Sequence, residues 1–327
     1  MRPVLFNIPI PWLGAIPVRA YGFMVMLGCL VGVFVVLRRA RREGADRNVI
    51  WDMWMWSLVG GFAGARAFYV YLFWPQFSGH LVRVFYIWEG GLAFQGGLVG
   101  AILLTYIYLK VKRLSAAKYI DMFVAGVILG YAFARVGCFL NGCCHGHVAD
   151  VPWAVTYPAY APINAKGTFR PSPAYAAQVA GDPRLLPDWA GKLPGCEGRV
   201  NDGRLIDTYS AWVAMGGQAG GKGPMPRSCP IHPTQLYAAA SALIIFVVLL
   251  VYSYVPRRIG QETGLFGMLY AVYRFVVEFF RGDSPTPHWG LTLFQVVCIG
   301  ILVTFGLYWL YCMRWMPRYV PPAERSR

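Results

Sequence analysis

The stretch from Tyr21 to Leu37, YGFMVMLGCLVGVFVVL, carries no charge and ends directly in the basic cluster RRARRE. A run of this kind must become a helix buried in protein or in hydrocarbon, because only a helix or a closed barrel satisfies its backbone N–H and C=O groups without water. Further apolar runs follow at roughly 51–74, 91–109, 119–141, 235–255, 264–280 and 289–313. Together with the first, at about 20–37, they predict an all-α polytopic membrane protein with seven transmembrane helices. Composition agrees, since 57% of the 327 residues are hydrophobic and only 14% are charged. The first run lacks the short core and small-residue cleavage site of a signal peptide, so it is expected to stay in the mature chain.

The formal charge of +15 would suit a nucleic-acid binder, but its placement points elsewhere. Segments after the first, third, fifth and seventh runs hold fifteen basic residues, among them Arg38, Arg39, Arg41, Arg42, Lys110, Lys112, Arg257, Arg258 and Arg314. The short segments on the other side hold Arg2, Arg19, Arg83 and Arg281. The positive-inside rule therefore places the N-terminus outside and the C-terminus in the cytoplasm, and no nucleic-acid partner is expected. This divides the chain into helices 1 to 4 (1–146), an extracytoplasmic head (147–231), and helices 5 to 7 with a basic cytoplasmic tail (232–327). The head is rich in Pro, Gly and Ala and has no run of spanning length.

Ionisable groups at bilayer depth cost about 2.5–3.5 kcal/mol each on insertion scales, so each needs a partner or a purpose. Arg66, Asp121, Arg135, Arg274 and Glu278 fall within the runs, with Glu89 and Arg281 near the outer boundary. Arg274 and Glu278 are four apart and share a helix face, as a buried ion pair would. Arg135 approaches the same outer half from another helix. Two guanidiniums converging there call for an anion, and a phospholipid phosphate fits the planar fork. The glycines of GGFAGARAF (60–68) and EGGLAFQGGLVGA (89–101) suit close helix packing. The second stretch could also bend or admit a headgroup, which would make Gln95 a site residue.

The segment ARVGCFLNGCCHG (134–146) gathers Cys138, Cys143, Cys144 and His145. Their spacing fits a zinc site poorly, and no cradle for a phosphate cofactor is present, so neither metal nor cofactor is implied. A thiol-disulfide oxidoreductase using Cys138, Cys143 and Cys144, exchanging with Cys196 or Cys229, is the alternative chemistry. Disulfide stapling of the head or plain packing is the commoner fate of such residues.

Six motifs in order resemble the bacterial prolipoprotein diacylglyceryl transferases: AYGFM, GARAFYVYLF, WEGGLAFQGGLVGA, ARVGCFLNGCCHG, HPTQLY and YAVYRFVVEFFRGD. The resemblance covers nearly the whole bundle but not the head. It implies a multi-pass enzyme of the bacterial cytoplasmic (inner) membrane. Such an enzyme moves the diacylglyceryl group of phosphatidylglycerol onto the lipobox cysteine in the signal peptide of a preprolipoprotein, releasing glycerol phosphate. On that basis Arg135 and Arg274 are the expected catalytic residues. Tyr21, Asn141, Gly146, Tyr270 and Glu278 fall on matched positions, and Arg66 and Arg281 are expected to support them. His232, Gln235 and Tyr237 belong to the His-Pro-x-Gln-x-Tyr element at the outer face. The chain also departs from the family pattern. Gln95 stands where many members carry a histidine proposed as base, Ala238 where many carry an acid, and Ala134 replaces a glycine. Gln95 cannot serve as a base near neutral pH, which keeps a non-catalytic lipid-binding paralogue as a further alternative.

Overall fold

A computed structural model describes residues 3–10, 14–86, 91–162, 169–171, 174–175, 178, 200–201, 204–205, 227–281 and 290–319. Among these, seven helices of at least 18 residues dominate: α1 (Ala20–Glu43), α2 (Arg47–Leu72), α3 (Phe94–Val111), α4 (Ala116–Asn141), α5 (Thr234–Tyr252), α6 (Gln261–Glu278) and α7 (Leu293–Trp315). Five of them (α1, α3, α4, α5 and α7) are long and apolar enough to cross a membrane by length and composition. The other two, α2 and α6, carry Arg66 and the Arg274–Glu278 pair. A hairpin of β1 (Val4–Ile10) and β2 (Gly14–Arg19) leads into α1. Most of the expected head, including Cys196, lies outside the described residues, as does Glu89.

Glycine decides how the helices pair. Cβ atoms added at Gly28 and Gly32 of α1 would meet the backbone oxygens of Gly130 and Gly126 of α4 at 2.8 Å each. In α2 and α3, Gly60 faces the carbonyl of Gly100 and Gly64 that of Gly96, closer still. Both pairs are small-xxx-small crossings, which bring backbones together where lipid supplies no hydrophobic drive to association. In α6, Gly264 and Gly267 receive Trp309 and Phe305 of α7. The glycine runs noted in the sequence are thus occupied by packing.

Among the described residues, two buried clusters fill the interior of the bundle. One joins Val36 and Leu37 of α1, Met53 of α2, Leu109 of α3 and Met122 of α4. The other joins Ile128 and Ala132 of α4, Ala242 and Ile245 of α5, and Tyr273 and Val277 of α6. Large apolar side chains such as Phe34, Leu98, Ile244 and Leu307 lie outside on the helix faces. A belt of this kind is stable only against hydrocarbon.

The first helix continues through its basic cluster instead of ending before it, and Arg39 is buried, not displayed on a loop. Its guanidinium binds Glu262 of α6 through two hydrogen bonds of 2.5 and 2.6 Å and Glu43 through one of 2.8 Å. Arg257 lies 3.4 Å from Glu43 and 3.3 Å from Glu262. Asp121, within one of the expected spans, accepts from the backbone of Gly260 at 2.6 Å and of Thr263 at 2.9 Å. It thereby satisfies N–H groups at the start of α6, the favourable place for a carboxylate on a helix. These contacts tie α1, α4 and α6 at one end of the bundle and leave their opposite ends to form the site.

Candidate active site

At that opposite end, α4, α5 and α6 surround a small, partly open pocket lined by Tyr131, Arg135, Cys144, Thr234, Ala238, Tyr273, Arg274, Val277 and Arg281. Arg135 and Arg274, far apart in the sequence and carried on different helices, line the same space. Their circumstances differ. Arg274 is ion-paired with Glu278 one turn along α6, and Arg281 Nε lies 3.9 Å from the same carboxylate oxygen, Oε2. The other oxygen of Glu278 accepts from Thr292 at 3.2 Å. Arg135 sits with its guanidinium 4.7 Å from the centre of the Tyr131 ring, and among the described residues it makes neither a hydrogen bond nor an ion pair. A half-buried guanidinium without a counter-ion is a strong electrostatic invitation to an anion.

Tyr131 and Tyr273 share a short hydroxyl-to-hydroxyl hydrogen bond across the cavity wall, and Tyr270 packs edge-on against both rings. Tyr131 and Tyr273 were absent from the residues singled out by sequence. The signal was available, because Tyr131 is one turn before Arg135 and Tyr273 precedes Arg274 on the face that continues to Val277 and Arg281.

The turn after α4 forms the next wall. Gly142 ends α4 in the left-handed conformation (φ 74°), and Cys144 adopts it as well (φ 59°). A side chain there costs roughly 1–2 kcal/mol, so the turn must be held from outside. The start of α5 does this. Gln235 donates to the Cys143 carbonyl at 2.7 Å, and Thr234 to the Cys144 carbonyl at 2.9 Å. Asn141 donates from its amide to Cys143 Sγ at 3.4 Å. Cys138, Cys143 and Cys144 are free thiols, whereas Cys229 is disulfide-bonded.

Gly146 is where three segments cross. Its N–H donates to the His232 carbonyl at 3.0 Å, and a Cβ on it would run into the Phe280 carbonyl and lie 2.7 Å from the His232 Cβ. Its sequence position reflects this close approach of backbones. His232 packs on Phe280, and its Nδ1 lies 3.0 Å from the Tyr237 hydroxyl, which also accepts from Trp153 at 2.7 Å. Burial, helped by neighbouring His147, holds the His232 imidazole below its ordinary pKa. Tyr21 is half-exposed on the first turn of α1, beside α4 at Gly137, where an added Cβ would stand 3.2 Å from the Tyr21 Cα.

Two expected site residues stand apart from this cavity. Arg66 donates to the carbonyls of Arg83, Val84, Tyr86 and Gly91 at 2.6–3.2 Å, organising the loop between α2 and α3. Gln95 is exposed on the first turn of α3.

The fold and cavity define a polytopic helical membrane protein with a cationic, tyrosine-lined pocket at one end of its bundle. The chain belongs to the prolipoprotein diacylglyceryl transferase family, whose model matches residues 3–311. Among its relatives, the phosphatidylglycerol–prolipoprotein diacylglyceryl transferase of Finegoldia magna is 28% identical over 91% of this chain and 90% of its own length. The corresponding proteins of Chromohalobacter salexigens and Photorhabdus laumondii are each 29% identical, over 89% and 93% of this chain and 85% and 88% of their own lengths.

Proposed function

We propose that this protein transfers the diacylglyceryl group of phosphatidylglycerol to the lipobox cysteine of preprolipoprotein signal peptides at the outer face of the bacterial cytoplasmic membrane. The observation that carries the proposal is the meeting of Arg135, which has no counter-ion among the described residues, with Arg274 in one pocket of a chain that belongs to this transferase family. In the proposed arrangement seven helices span the membrane with the N-terminus outside, the head (147–231) is extracytoplasmic, and the basic tail faces the cytoplasm.

The client thiol gives up its proton to solvent, and the thiolate attacks the glyceryl carbon bonded to phosphate oxygen. A C–S bond forms, the C–O bond breaks, and glycerol phosphate departs with the bonding electron pair. The phosphodiester enters with one negative charge and leaves as a monoester with more. Arg135 gains most from that growth, because no carboxylate among the described residues competes for it. Its interaction strengthens toward the transition state, which is what accelerates a reaction. Arg274 is held by Glu278 and supplies a second, oriented donor set. Tyr21, Tyr270 and Asn141 border the pocket walls and orient the lipid. Gln235 fixes the Cys143 turn, while His232 and Tyr237 fix the approach at the outer face. Gly146 permits the backbone crossing beside Arg281. Arg66 shapes the loop that leads to Gln95, on the client side.

The test is transfer of labelled diacylglycerol from phosphatidylglycerol to a lipobox peptide by the purified protein, with Arg135→Ala alongside. Product from wild type and none from the variant supports the reading. Phosphatidylglycerol binding by wild type without product would make the chain a lipid-binding paralogue.

A further inference from the structure

The three cysteines that the transfer reaction leaves unused come together in a way their spacing along the chain did not announce. The sulfurs of Cys138, Cys143 and Cys144 all lie within 4.8 Å of one another. We propose that they form a three-thiolate site for a soft, thiophilic cation, with Cu(I) the ion that the set fits best.

Geometry supports this first. Three sulfurs placed about 2.3 Å from a metal at the centre of a triangle stand about 4 Å apart, so the observed group closes on an ion by small side-chain rotations. Soft thiolates select Cu(I), zinc and similar ions over hard cations. Zinc prefers four ligands. Among the described residues no His, Asp or Glu atom joins the three sulfurs, which leaves a three-coordinate ion favoured.

The set is also held in place before any ion arrives. Cys143 N–H bonds back to the Cys138 carbonyl at 3.2 Å, and the carbonyls of Cys143 and Cys144 are gripped by Gln235 and Thr234. Cys144 keeps its left-handed backbone under that grip. Asn141 donates to the sulfur of Cys143, as groups around thiolate ligands commonly do. Binding releases three thiol protons to water and leaves a complex of net charge −2. Cys144 shares the pocket with Arg135 and Arg281, so compensating positive charge is at hand. An ion held there would occupy the anion pocket's edge and couple metal exposure to lipid access.

The experiment uses the full-length, reduced protein in detergent micelles under anaerobic conditions, with Cu(I) supplied as its complex with a chromophoric chelator. Wild type is expected to withdraw one equivalent of Cu(I) per chain, and so is Cys29→Ser, which removes a free thiol elsewhere. Cys138→Ser and Cys144→Ser are expected to bind at least a hundredfold more weakly. No withdrawal by wild type, or equal withdrawal by wild type and a variant lacking all three thiols, overturns the site. X-ray absorption at the copper edge needs only wild type. Three sulfur neighbours at about 2.3 Å support the proposal, and a shell of nitrogen or oxygen overturns it. Neither readout involves lipid transfer, so this inference stands or falls apart from the transferase reading.

Discussion

Arg135 on α4 and Arg274 on α6 line one pocket, yet among the described residues only Arg274 has a carboxylate, Glu278, to neutralise it. The asymmetry divides the work between them. A paired arginine is a fixed scaffold for hydrogen bonds, whereas an unpaired one contributes its whole charge to whatever anion arrives.

Arg135→Ala is expected to lower transfer by about a hundredfold to a thousandfold, the usual effect of removing one donor to developing charge. Arg135→Lys should recover only part of this, because an ammonium cannot offer two parallel N–H groups to a phosphate. Initial rates with labelled phosphatidylglycerol decide the matter, and equal rates for wild type and Arg135→Ala would remove Arg135 from the mechanism.

Gly146→Ala places a methyl group against the Phe280 carbonyl and the His232 backbone. Neither neighbour is the loose end of a side chain, so the crossing must open, at a cost of about 1–3 kcal/mol. A lowered thermal midpoint in micelles, with transfer falling as Arg281 shifts, is the expected result.

Arg39→Leu leaves Glu262 and Glu43 buried with one fewer cation between them. Removing one partner of a buried pair costs about 3–5 kcal/mol. The variant should therefore unfold at markedly lower temperature, while its remaining folded fraction binds phosphatidylglycerol as wild type does. Thermal unfolding and lipid binding measured on the same preparation separate the two effects.

His232 gives a pH signature. Its pKa in the folded protein lies below the unfolded value of about 6.5, so near that pH the unfolded chain binds more protons. Stability consequently falls as pH drops through about 6.5, and above that range the group contributes no pH dependence. The midpoint of wild type should decline more steeply between about pH 7 and pH 5.5 than that of His232→Gln; parallel curves would show that the imidazole is not held neutral by its site.

Much of this could be read along the chain. Apolar runs mark the helices, because a membrane tolerates little else, and the glycines at 60, 64, 96 and 100 mark a close crossing by their spacing alone. Convergence of Arg135 and Arg274 also followed, since alternating helix direction puts both near one face. Arg39 was different. Read as one member of a basic loop cluster, it is in truth buried, because Glu262, more than two hundred residues away, continues the polar surface that α1 needs there.

What the sequence determined by itself is therefore local: which segments are helical, where backbones can touch, and which charges are too costly to lie idle in lipid. Only the tertiary structure decided which partners those charges meet. It gave Arg274 a carboxylate and left Arg135 without one among the described residues, spent Arg66 on four carbonyls of its own loop, and folded Cys144 back through a left-handed turn onto Cys138 and Cys143. The physical reason is that a partner's identity depends on contacts between residues far apart in the chain, and one sequence carries no periodicity that reports them.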